Sequence, residues 1–175
     1  MSSEGSRVLG HYENFPTVIH NVSKFTHQST EKKLQMAILR VFHRLNQEKR
    51  DLNGLSPFFS AKCEVSFEFG VAEDNTFNYL DEEELKRFQK DIAKEALSTL
   101  DFFCVVRYHA LKEGRRVPLR FDYHLLRFVF QGNSVEMQTA HERGTRRVSL
   151  EDLANFIIGQ ISEELPRKIA RSPKL

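Results

Sequence analysis

Residues 117–141, VPLRFDYHLLRFVFQGNSVEMQTAH, read as two long strands joined by a tight turn at a Gly132-Asn133 pair. Successive side chains of a strand point to opposite faces, and a glycine-containing two-residue loop supplies the positive φ of a tight hairpin. Such a loop sets the register. Gln131 opposes Ser134, so Phe130 faces Val135, Phe128 faces Met137 and Leu126 faces Thr139. Continued outward, His124 falls opposite His141 and Asp122 opposite Arg143. One face of the ribbon is therefore apolar near the turn and ionisable at the far end, and the rest of the chain is expected to cover this hairpin.

A chain of 175 residues is long enough to bury a core without disulfides or metal. With 15 Phe and no Trp, its aromatic burial has to rely on phenylalanine. A charged fraction of 29% and a mean hydropathy of −0.47 argue for a soluble protein. No apolar run approaches a membrane span, and the opening MSSEGSRVLG lacks the apolar core of a secretory signal. Cys63 and Cys104 have neither CxxC nor zinc-finger spacing, which makes a reducing cytoplasm the expected setting. Net charge is +2 but uneven: residues 1–98 hold 13 Lys and Arg against 15 Asp and Glu, and residues 99–175 hold 13 against 9. The basic excess is too small to imply nucleic acid by itself.

Residues 1–15 read as a flexible lead-in, 16–166 as a single α+β domain and 167–175 as a loose basic tail. Pro16 to Phe25 has the form of an edge strand. Ser29 or Thr30 can cap a helix to about Glu48, with Leu34, Ala37, Ile38, Val41, Phe42 and Leu45 on its buried arc. Met36, Leu39 and His43 fall on the other side, a second apolar patch that suits a subunit contact. Lys62 to Val71 alternates cleanly, as a strand with one wet face does, and Phe77-Asn78-Tyr79 completes a hairpin with it. Asp81 with Glu84, and Ser149 with Asp152, are capping boxes; Leu80 with Leu85, and Val148 with Leu153, are the matching hydrophobic staples. Between these helix starts, Leu100 to Leu111 reads as a central strand, and Pro118 points to a bulge or an unpaired entry into the next one.

The expected fold is α+β, an antiparallel sheet of about five to six strands covered by three helices in the order β-α-β-β-α-β-β-β-α. From residue 30 onward this order resembles that of small roadblock- and profilin-type sandwiches. The resemblance is one of element order and implies a dimerising platform for protein contacts.

Three constellations merit placement in space. Asp122, His124, His141 and Arg143 form the ionisable hairpin end, a candidate ligand pocket. With a three-residue turn pairing Lys112 with Arg116, Cys104 lies beside His124, giving a row Cys104-His124-His141 of zinc-type ligands; other turn lengths put Phe102 or Phe103 there instead. Arg143, Arg146 and Arg147 precede a helix start and can hold an anion through guanidinium groups and free amides, although Ser149, Glu151 and Asp152 already cap and neutralise that start. HExxH, a Gly-rich phosphate loop and GxSxG are all missing, and no cofactor is expected. Nucleic-acid binding has the arginines but lacks interleaved exposed aromatics. The expected function is thus a non-enzymatic binding or scaffold protein that acts through protein contacts, as a homodimer. A small enzyme or ligand sensor is the alternative.

Overall fold

The computed structural model describes residues 9–46, 49–51 and 63–171. The six strands expected from the sequence form one antiparallel sheet: β1 (Asn21–Thr26), β3 (Cys63–Glu73), β4 (Thr76–Tyr79), β5 (Thr99–Lys112), β6 (Arg115–Gln131) and β7 (Ser134–Arg143). Two short ladders, β2 (Lys49–Asp51) and β8 (Ala170–Arg171), extend its edges. The spatial order is β2-β3-β5-β6-β7-β1-β8, with β4 folded back on β3. Three helices, α1 (Glu31–Leu45), α2 (Glu82–Lys94) and α3 (Leu150–Glu164), complete the expected element order.

Helix starts follow the side-chain chemistry. Thr30, Asp81 and Ser149 each accept a hydrogen bond from the amide three residues on, which satisfies a donor that the helix itself leaves unpaired. All three helices pack on one sheet face. Phe42 of α1 stacks on Phe69 at 4.1 Å and meets Phe102 edge-on at 4.5 Å, while Phe102 in turn meets Phe128 edge-on. The hairpin tip is tied to this layer. Glu31 accepts from the Gly132 amide at 2.7 Å, and His27 Nε2 donates to the Gly132 carbonyl at 3.0 Å.

Among the described residues, no helix covers the other sheet face. Residues 9–20 cross it as a strap, with Phe15 packed on Leu125 and Ala140 and with Tyr12 and Ile19 alongside. The strap is clasped by buried Asp101, which takes the Tyr12 amide at 2.7 Å and a two-pronged ion pair from Arg127 at 2.8 and 2.9 Å. Arg127 also donates to the Tyr12 carbonyl and lies 4.3 Å from the Phe15 ring centre. Residues 9–15, expected as a flexible lead-in, are therefore docked, because Asp101 and Arg127 satisfy backbone groups that would otherwise need water. Residues 170–171 of the expected loose tail pair with β1, and residues 1–8 and 172–175 lie outside the described residues.

Candidate binding surface at the bulged end of the sheet

The inferred hairpin register holds from Gln131–Ser134 to His124–His141, and Cys104 stands opposite His124, so the row Cys104-His124-His141 forms. It forms by a different route from the one expected. The β5–β6 turn has two residues, Glu113 and Gly114, both at positive φ, with Lys112 paired to Arg115. One extra residue of β6 between Pro118 and Phe121 then restores the offset. The bulge sits beside the proline that cannot donate to the ladder.

Within the row the histidines use each other. Their Nδ1 atoms lie 3.2 Å apart, within reach of one hydrogen bond between the rings, and His141 Nε2 donates to the Gly144 carbonyl at 3.0 Å. Burial, then the neighbouring His141, lowers His124 to about 4 against the opposing pull of Asp122; Arg146 and His20 act in the same direction as His141. Burial, with the Asp122 carboxylate adding to it, pushes the Cys104 thiol up and disfavours the thiolate that a metal needs. Among the described residues, no three His, Cys, Asp or Glu side chains are grouped so as to hold a metal ion. The expected row Cys104-His124-His141 thus forms, with Cys104 packed in the core and the two histidine rings facing each other.

Asp122 does not pair with Arg143. It is fully buried and accepts from the Tyr108 hydroxyl at 2.6 Å and from the Arg146 and Arg147 amides at 2.8 and 3.1 Å, while the Val148 amide donates to Tyr108. Burial, then this hydrogen bond, pushes the Tyr108 phenol up. The loop closes so tightly on the carboxylate that a Cβ at Gly144 would lie 2.1 Å from Asp122 Oδ1, and Gly144 itself has φ +108. The amides expected to be free for an anion are thus taken by Asp122, and Ser149 caps the following helix, which leaves only the exposed guanidinium groups of Arg143, Arg146 and Arg147. As a pocket, Asp122, His124, His141 and Arg143 do not converge. Asp122 and His124 are sealed from solvent, and Arg143 faces the other way.

Arg143 turns because β7 carries an extra residue, Glu142, so that Tyr123 rather than Asp122 pairs with Arg143. Both Glu142 and Arg143 then line an open groove of about 720 Å³ on the helix-free face, next to the strap. Its floor is Phe103, Val105, Phe121 and Tyr123, and Glu68 and Arg107 complete its rim. Phe121 is 42% exposed, and Arg107 lies 5.8 Å from its ring centre while pairing with Glu68 at 3.2 Å. Partial burial raises the Tyr123 phenol, with Tyr12, Glu142 and Glu68 adding to the effect. Phe121 is thus an exposed aromatic beside an arginine, where the sequence reading expects none, and Tyr123 is half-buried. Their signal lies in the odd positions 121 and 123 of the hairpin, which share the face opposite His124.

The patch of Met36, Leu39 and His43 lies elsewhere. Leu39 is fully buried and Met36 packs against the core. His43 Nε2 approaches Glu82 of α2 at 3.8 Å, and on the same stripe Lys32 reaches the carbonyls of Ala93 and Lys94. This side of α1 is covered by α2, so Leu39 offers no outer surface. His20 accepts from the His141 amide through Nδ1 at 3.0 Å.

No family model, curated protein or solved structure matches the chain. Among the described residues, no helix is long and apolar enough to cross a membrane.

Proposed function

We propose that this chain is a non-enzymatic binding protein of the reducing cytoplasm that acts through protein contacts, and that its docking surface is the groove on the helix-free face. The observation that carries the reading is the aromatic floor with its arginine rim: Phe103, Phe121 and Tyr123 beside Arg107 and Arg143. Aromatic residues and arginine dominate the energetic centres of protein interfaces, where a rigid ring buries much surface at small entropic cost. The polar row behind the sheet supports a scaffold role for Asp122, His124 and His141, since their hydrogen bonds hold the Arg143–Arg147 loop in place. Both cysteines are buried in the core, where a small apolar side chain packs well.

The test is a selection from a displayed random-peptide library. Recovered peptides should lose binding to Phe121→Ala and Arg143→Ala and keep it to Lys90→Ala, a change on the outer side of α2. Peptides indifferent to the groove changes, or none recovered, would contradict the reading. In a variant with an unaltered fold, the Phe121→Ala loss is expected at about 2 kcal/mol, the scale of an interface anchor.

A further inference from the structure

We infer that the partner taken by this groove is a second copy of the chain, docked about a two-fold axis; the inference rests on the groove being a protein-docking surface and adds the identity of the occupant. Its basis is charge matching. Arg107 is already engaged within the chain, by Glu68 and by the Phe121 ring. Glu142 and Arg143 are different: both are exposed, and neither has an ion-pair partner among the described residues. The β7 bulge brings these two neighbours, opposite in charge, to the same groove.

An acidic partner would match Arg143 and meet Glu142 with repulsion, and a basic partner would do the reverse. A nucleic-acid strand would bring phosphates against both Glu68 and Glu142. A two-fold axis resolves the conflict without a further residue type. When Arg143 meets the partner's Glu142, symmetry places Glu142 against the partner's Arg143, because an isologous interface repeats every contact in reverse. The exposed ring of Phe121 lies in the same groove, where a docked copy would remove it from water.

Sedimentation of the full chain tests this. The wild type is expected to pass from a 20.4 kDa monomer to a dimer as concentration rises. Glu142→Arg and Arg143→Glu, both at exposed positions, should each weaken self-association by about tenfold or more, because like charges then face each other across the axis. An equimolar mixture of the two variants should recover the dimer, with acidic and basic grooves facing one another. A wild type that stays monomeric at the highest attainable concentration overturns the inference, as does a dimer that both variants leave intact. If that monomer still binds groove-dependent peptides, only the second-copy inference falls; if it binds none, the docking reading falls with it.

Discussion

Asp122 sits where three parts of the molecule meet: its own strand β6, Tyr108 on β5, and the Arg146 and Arg147 amides of the loop that leads into α3. A buried carboxylate needs this many donors, because each unsatisfied oxygen would carry the full cost of leaving water. Two residues further along β6, on the same face, His124 is buried without a charge of its own, which makes stability depend on pH. Its folded value is about 4 against an ordinary 6.5, so as pH falls the unfolded chain takes up a proton before the folded one does. The contribution to stability is complete above about pH 6.5, declines between 6.5 and 4, and levels off below that; the total is about 3 kcal/mol. Denaturant unfolding across this range should show the decline in the wild type and a flatter profile in His124→Gln. Parallel profiles would contradict the buried, neutral histidine.

At the scale of elements, β6 is buried on both faces in its middle, under helices on one side and under the strap on the other. The strap depends on the Asp101–Arg127 clasp. Arg127→Ala should cost about 3 kcal/mol in thermal or denaturant unfolding, since it leaves Asp101 buried with only the Tyr12 amide and removes the contact with Phe15. A cost near zero would mean that the strap adds nothing to the fold. Much of this level was legible in the sequence. The Gly132-Asn133 turn sets the β6–β7 register, and the threonine, aspartate and serine caps mark the helix starts within a residue or two, because both signals are local. The bulges were not legible, apart from the hint at Pro118. The extra residue at Glu142 lies at the strand end that leads into the loop wrapped around Asp122, a tertiary arrangement with no local pattern. The strap was missed for a related reason: residues 9–15 have neither helical nor strand periodicity, residues 16–20 read as the start of an edge strand that begins only at Asn21, and what docks the segment is a pair of charges on β5 and β6.

The whole molecule is two-sided. Three helices close one face of the sheet, and the strap closes only part of the other, leaving the aromatic groove beside it. The candidate surface lies on the face opposite the ionisable hairpin end, because that end is core and the β7 bulge carries Arg143 out of it. The proposed self-association accordingly uses the sheet and not α1, whose Leu39 is buried. The most direct measurement is an NMR dilution series on the isotope-labelled chain. A self-docking sheet face predicts concentration-dependent shifts concentrated at Phe103, Val105, Phe121, Tyr123, Glu142 and Arg143, with the outer helix surfaces unchanged. Shifts centred on Met36 and His43, or spectra that do not change with concentration, would contradict it.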